Sequence, residues 1–403
     1  MPITLVALAA ALAAAGPAFE ERVVAGGGAG DFMEVRHAVL RGTSFEIGKK
    51  LAEIAKERFG SGPSASRDRT VTRAQREFLA RNWPAQLERM RGVAAFHAGD
   101  PDDDATDYSS LPYLLGPPGG CSVFFVPPSR MKGGAGVLSR NYDFTTGTID
   151  GRAASKDAPA CTSRPIVLET HPTGGAFSSI AVVSYDLLGA AIDGINSEGL
   201  AVALLADDEV TSRFTTEPTR EPAVGLCEIE VPRFLLDTCA TAKEARAALL
   251  ATRQYYSFVP CHYIVADRHG DSFVFEWSPV RNRAHVIDGG GAPQISTNFM
   301  LHLHPPAKGL PEESAPYGNF ARYAAIAASI GGREPLGLDD IRDSAARVAA
   351  REKAGPDRPA GRTLWHALYF PEARKVEIDF YLGEGGDDGR GRRSGYVEFA
   401  LRE

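Results

Sequence analysis

From residue 121 to about residue 300 the chain carries a succession of alternating or solid apolar runs. "CSVFFV" (121–126), "AGVLSRNYDF" (135–144), "RPIVLETH" (164–171), "SSIAVVSYDLLGAAIDGI" (178–195), "GLAVALLA" (199–206), "HYIVADRHGDSFVFEWS" (262–278), "AHVID" (284–288) and "PQISTNF" (293–299) follow one another. Runs of this kind, punctuated by Gly, Pro and Asp, read as strands, and "RHGD" (268–271) reads as a hairpin turn. Helical segments are expected at about 224–237, 241–253, 317–330 and 338–353, and a last strand pair in "TLWHALYFPE" and "KVEIDFYLGE". Strands, then helices, then strands again predict an α+β fold in which antiparallel sheets form a sandwich covered by helices.

The first 110 residues have a different texture. "MEVRHAVLRG" (33–42) reads as one short strand and "TSFEIGKKLAEIAKERFG" (43–60) as a helix. Thr43 and Glu46 have capping-box spacing, and Gly60 can stop the helix. "VTRAQREFLARNWPAQLERMRGVAAF" (71–96) is helical, broken near Pro84. The Gly-rich "VVAGGGAGDF" (23–32) reads as a linker. Residues 3–15, "ITLVALAAALAAA", followed by small residues, read as a signal peptide, although Lys and Arg are absent before the run. The expected division is a signal at 1–20, a helical segment at 21–120 and the main domain at 121–403. Export to the periplasm or beyond is expected, with a cytoplasmic location as the alternative. No other stretch could cross a membrane.

With 403 residues, 44% of them apolar, the chain can bury a large core. Its net charge of −7 argues against a nucleic-acid partner. The five cysteines, Cys121, Cys161, Cys227, Cys239 and Cys261, are odd in number and irregularly spaced, which is not a disulfide framework. If Cys121 is set apart as reactive, the other four allow three pairings. There is no C-x-x-C, so a finger-type zinc site is unsupported.

"GGCS" (119–122) places Cys121 behind two glycines. The ordinary reading is a buried thiol after a turn. The sharper one is a scissile Gly120–Cys121 bond: the thiol attacks the preceding carbonyl, water releases an α-amine, and that amine, with pKa about 8, serves its own thiol as base. In "SRNYDF" (139–144), Arg140 and Asp143 end the next strand, and a hairpin would return them to Cys121. Arg140 would favour the thiolate and Asp143 could hold the amine. In "ISTNFM" (295–300), Asn298 ends a strand and offers a donor for an oxyanion.

Together these motifs resemble the N-terminal nucleophile hydrolases. The branch is the one acting on linear amides, with the choloylglycine hydrolases, penicillin V acylases and isopenicillin-N acyltransferase (acyl-CoA:6-aminopenicillanic acid acyltransferase, peptidase C45). "LRGTSFEIGKKLAEIAKERFG" resembles the pro-segment, "GGCSVFF" the cleavage point, "SRNYDF" the Arg and Asp motif, "GINSEGLAVAL" (194–204) the central hairpin, "STNF" the Asn site and "TLWHALYF" the closing strands. The resemblance implies an αββα sandwich and a zymogen that cuts itself between Gly120 and Cys121. It implies a catalytic set of Cys121, Arg140, Asp143 and Asn298 and a late arginine, for which Arg322 is the substrate-side candidate; Tyr185, read as pocket wall, is a second substrate-side candidate. It also implies a small N-acyl amide substrate, two cleaved chains that stay associated, and neither metal nor cofactor. One position departs: where choloylglycine hydrolases carry a second oxyanion Asn, this chain has Ala206, followed by Asp207.

Two other functions fit fewer residues. His302 and His304, two apart, would face one way on a strand and could serve a metal-dependent hydrolase. An exported, non-catalytic binding protein on the same fold is the other. No G-x-S-x-G marks a serine hydrolase. Glu276 and Asp193 read as structural partners, and Trp277, Trp365 and Tyr185 as core or pocket wall.

Overall fold

The short apolar runs resolve into two large sheets packed face to face in the computed structural model. It describes residues 18–113, 120–148, 159–207, 223–257, 259–278, 281–313, 318–332, 335–355, 359–386 and 389–401. The larger sheet has nine strands in the order Ala18–Gly26, Glu34–Gly42, Ile166–Pro172, Ser179–Val183, Asp193–Asn196, Ala201–Ala206, Cys261–Ala266, Ser272–Ser278 and Arg283–Asp288. The smaller runs Gln294–Ser296, Gly120–Val126, Val137–Thr145, Gly361–Phe370, Lys375–Gly383 and Arg392–Ala400, with Arg351–Glu352 pairing beside Gly361–Phe370. Helices Ser44–Phe59, Glu230–Thr238 and Ala242–Ala251 lie against the larger sheet; Asn319–Ile330 and Leu338–Arg347 lie against the smaller. This is the four-layer αββα arrangement. The inner faces meet through buried Val, Leu, Ile and aromatic side chains, so the sandwich is held chiefly by apolar burial.

Local signals explain the first helices. The Thr43 side chain accepts from the Glu46 backbone N–H at 3.2 Å, Glu46 accepts from the Thr43 N–H at 2.8 Å, and Gly60 closes the helix with a left-handed φ of 64°. The next stretch divides into Arg69–Asn82 and Pro84–Phe96, as Pro84 requires. The fully buried Trp83 sits at the break and donates to Asp237 at 2.8 Å. Ser44–Phe59 crosses Pro84–Phe96 so closely that a Cβ on Gly48 would stand 2.1 Å from the Arg89 carbonyl oxygen, and one on Gly92 2.0 Å from that of Phe45. Only glycine fits there.

The structure departs from the sequence reading in several places. Residues 23–32 are no linker: Ala18–Gly26 and Glu34–Gly42 form an antiparallel hairpin, with the glycines in its turn. The segment before Cys121 is therefore not only helical. It supplies two strands to the larger sheet, and Glu34–Gly42 pairs in parallel with Ile166–Pro172, the one parallel pair among the described strands of the two large sheets. The helix read at 224–237 begins only at Glu230, after Leu226–Cys227 pairs with Gln254–Tyr255. The helix read at 338–353 ends at Arg347. The apolar run 3–15 lies outside the described residues; among those described, no helix is long and apolar enough to cross a membrane.

Candidate active site

The strand Gly120–Val126 pairs antiparallel with Val137–Thr145, placing Cys121 opposite Tyr142, Val123 opposite Arg140 and Gly120 opposite Asp143. Strand alternation then sorts the side chains. Cys121 and Arg140 share the face turned into the sandwich. Asp143 is on the other face, beside Gly120, where a glycine Cβ would stand 3.5 Å from the Asp143 Cβ. Thiol and carboxylate thus flank the Cys121 backbone nitrogen from opposite sides.

Arg140 is fully buried and donates to Cys121 Sγ at 3.3 Å. Its remaining donors reach the Asn141 carbonyl at 2.7 Å and the Leu204 carbonyl, across the sandwich, at 3.1 Å. Its Nε forms an ion pair with Asp193, whose carboxylate also accepts from Tyr369 Oη and, at 3.3 Å, from Trp365 Nε1. The guanidinium lies 4.8 Å from the Tyr142 ring centroid, and Tyr142 stacks on Trp365 at 4.0 Å. Burial pushes the Cys121 thiol above its ordinary range while Arg140 pulls it down, and burial prevails. Cys121 is closed in, with 0% exposure.

The Cys121 backbone N–H donates to Asn298 Oδ1 at 2.6 Å. Asn298 Nδ2 donates to the Ala206 carbonyl at 2.6 Å. The expected oxyanion donor is therefore committed to the residue at the position expected for a second Asn. The neighbouring Asp207 N–H is occupied by the Pro260 carbonyl at 3.0 Å. Arg322, on the first turn of Asn319–Ile330, ties this side together. Its Nη1 donates to the Cys121 carbonyl and, at 2.8 Å, to Ser122 Oγ; its Nη2 donates to Asn298 Oδ1 at 2.9 Å and Asn319 Oδ1 at 2.8 Å. Asn319 in turn donates to the Asn298 carbonyl at 2.8 Å. Asp143 accepts from Thr363 Oγ1 and lies 3.9 Å from Arg322. Burial raises its pKa against the pull of Arg322, Thr363 and Arg140.

Cys121, Arg140, Asp143, Asn298 and Arg322, more than 200 residues apart at the extremes, thus meet at one strand end. Tyr185 lies beside them: buried, at a φ of 86° that is unusual for a non-glycine residue, its hydroxyl bonded to that of Tyr142. Asp193, Thr363 and Asn319 complete the contacts and were not read as site residues. Each acts only through a neighbour, and its sequence context carries no sign of that.

His302 and His304 fall in a turn, not on a strand, which corrects the premise of the metal reading. His302 bonds Glu276 at 2.6 Å and stacks on His285, while His304 packs edge-on against Phe299 and Phe320. Among the described residues no group of three or more His, Cys, Asp or Glu side chains is placed to hold a metal ion. Glu276 also accepts the Leu301 and His302 N–H groups, fastening the turn after Asn298. All five cysteines are free and buried. Burial pushes Cys161 and Cys239 each up to about 11.

Three solved structures show similarity. A mutant of conjugated bile acid hydrolase from Clostridium perfringens is 12% identical and covers 69% of this chain and 97% of its own, with a TM-score of 0.44. Penicillin V acylase from Agrobacterium tumefaciens is 14% identical over 68% of this chain and 78% of its own, at 0.40. The Caenorhabditis elegans ortholog of N-acylethanolamine-hydrolyzing acid amidase is 15% identical over 62% and 93%, at 0.37. No curated protein matches the sequence. A family profile, however, matches residues 129–384, which contain Arg140, Asp143, Asn298 and Arg322 and begin just after Cys121. On that match, which spans more than half its length, the chain belongs to the acyl-coenzyme A:6-aminopenicillanic acid acyl-transferase family.

Proposed function

We infer that this enzyme is a self-activating cysteine amidohydrolase or acyltransferase that works on linear N-acyl amides with Cys121 as its nucleophile. One observation carries the reading: the two reactive atoms of Cys121 are held by separate partners, Sγ by Arg140 at 3.3 Å and the backbone nitrogen by Asn298 at 2.6 Å.

In the intact chain Sγ attacks the Gly120 carbonyl carbon. The C–N bond of the peptide breaks, the thiol proton goes to the departing nitrogen, and a thioester links Gly120 to Sγ. Water hydrolyses that thioester, leaving a Gly120 carboxylate and a Cys121 with free thiol and α-amine. Scission also opens a site that is closed before it, since the uncut chain leaves Cys121 no exposed surface. The uncut form is a zymogen.

In turnover the α-amine takes the thiol proton and Sγ attacks the substrate carbonyl. Asn298 Nδ2, released from Ala206, donates to the oxyanion. The leaving amine collects the proton from the α-ammonium, which Asp143 holds in place. Water, or an acceptor amine in the transferase variant, then resolves the acyl-thioester. Arg322, anchored on the Cys121 carbonyl, keeps the new terminus in register.

The segment before the cut stays bound as a second chain. Its strand Glu34–Gly42 lies within the larger sheet, and Arg89 forms a fully buried pair with Asp237 at 2.7 Å. The apolar run 3–15 serves as an export signal that ends before the strand Ala18–Gly26, which belongs to the larger sheet. N-terminal sequencing of the purified protein tests the reading: a large chain starting at Cys121 is expected, together with amidase turnover on an N-acyl amide panel.

A further inference from the structure

The larger sheet ends on Ala18–Gly26, a nine-residue strand with a neighbour on one side only among the described strands. Its ladder with Glu34–Gly42 runs evenly from Ala18 to Val23 and shifts register only between Val23 and Ala25. The even stretch is also the open one. Ala18, Phe19, Glu20, Arg22 and Val23 are exposed, and Phe19 and Val23, at 37% and 44%, are two of the five exposed large apolar side chains among the described residues. A straight edge strand carries a row of unpaired backbone N–H and C=O groups, which is a template for another strand.

Strand alternation sorts the side chains of this edge. Phe19, Glu21 and Val23 turn toward the helix Ser44–Phe59, where Lys50 stands 4.1 Å from the Phe19 ring centroid and Arg58 donates to Glu21 at 2.6 Å. Glu20 and Arg22 turn the other way, and among the described residues neither side chain has an ion-pair or hydrogen-bond partner. Charges on an edge normally repel a second strand. Here their order makes the strand complementary to its own reverse. The other nine-residue edge, Arg392–Ala400 of the smaller sheet, has spent its charges: Arg392 donates to Asp31 at 2.9 Å and Glu398 accepts from Lys375 at 2.7 Å.

We propose that Ala18–Gly26 pairs antiparallel with the same strand of a second copy of this chain, about a two-fold axis through Glu21. A two-fold perpendicular to a sheet sets residues of like orientation opposite one another, so each register is centred on one residue. Centring on Glu21 sets Glu20 against the second copy's Arg22, twice over, and Phe19 against its Val23. Centring on Glu20 would set Phe19 against a Glu21 carboxylate, and centring on Arg22 would set Val23 against it. The two Glu21 carboxylates that meet at the axis are each neutralised from within their own chain, by Arg58 at 2.6 Å and Arg36 at 3.8 Å. The paired residues, Phe19 to Val23, all fall within the even stretch before the bulge. The larger sheets of the two copies then run on as one.

The test is sedimentation equilibrium of the purified protein beside Glu20→Arg, Arg22→Glu, the double reversal Glu20→Arg/Arg22→Glu, and Val23→Lys. A reversible dimer is expected for wild type. Each single reversal is expected to raise the dimer dissociation constant by about tenfold or more, because the two-fold makes every substitution act twice. The double reversal restores the opposite-charge contacts and is expected to return the constant to near the wild-type value. Val23→Lys, which puts a charge against Phe19, is expected to weaken the dimer by about tenfold as well. None of these residues belongs to the site around Cys121, and circular dichroism checks that each variant is folded. A wild-type monomer at every concentration, an assembly that the folded single variants leave unmoved, or single losses that the double reversal fails to restore would overturn the proposal. Because the readout is association, the outcome is independent of whether the amidase assignment stands.

Discussion

Asp193 holds Arg140 and Arg140 holds Cys121: a carboxylate and a guanidinium, both with fully buried side chains, form an ion pair whose other end lies 3.3 Å from the thiol. Removing the carboxylate strands the guanidinium, and breaking such a buried pair typically costs about 3–5 kcal/mol. Asp193→Asn is expected to lower the melting temperature. It is also expected to loosen Arg140, so that the pH profile of Cys121 alkylation moves upward. A profile unchanged in a folded variant would remove Asp193 from the site.

Asp143 behaves differently, because its carboxylate faces Thr363 and the Cys121 nitrogen side rather than the core. Asp143→Asn keeps an acceptor for the Thr363 hydroxyl but loses the charge that holds an ammonium. Turnover is expected to fall by about 100-fold, while the melting temperature changes little. Wild-type rates in that variant would exclude Asp143 from amine positioning.

Arg322 bridges Cys121, Ser122, Asn298 and Asn319 through a planar fork that lysine cannot reproduce. Arg322→Lys keeps the charge and is still expected to slow processing by about tenfold or more. Time courses of chain appearance on denaturing gels check this, with wild-type kinetics as the contrary result.

The buried thiol sets the direction of the pH response. Its pKa lies above the usual thiol range in the uncut chain, so the reactive thiolate grows as pH rises. Processing of the purified precursor is expected to accelerate from neutral toward alkaline pH. A rate that falls over that interval contradicts the thiolate step.

His366 contributes to the acid limb of stability. Its folded pKa is depressed from 6.5 to about 3, by burial first and then by Arg393, Arg342 and Arg390. Below pH 6.5 the unfolded chain takes up a proton that the folded chain refuses. The contribution is therefore full above pH 6.5 and is lost as pH falls through that value toward 3. His366→Gln is expected to flatten the melting-temperature profile over that interval. An unchanged slope would show that other groups govern the limb.

What could be read in advance follows from how each feature is encoded. The strands, the capping box at Thr43 and the break at Pro84 are local signals of period, cap and ring. The meeting of Cys121, Arg140, Asp143 and Asn298 was legible because each stood in a short recognisable string, "GGCS", "SRNYDF" or "STNF". The hairpin of Ala18–Gly26 and Glu34–Gly42 was missed because its glycines look the same in a linker and in a turn. Its place in the larger sheet depends on pairing with residues 166–172, which no local pattern records. Asp193 and Thr363 were hidden for the same reason: their meaning lies in cross-strand neighbours.

Everything in the catalytic account depends on a free amine at Cys121. Intact-mass analysis of the purified wild-type protein beside Cys121→Ala and Cys121→Ser measures this most directly. The account predicts two masses for wild type, whose larger chain begins at Cys121, slow cutting for Cys121→Ser, and a single uncut mass for Cys121→Ala. An uncut wild-type chain with full amidase turnover, or an alanine variant that still divides at Gly120, would contradict it.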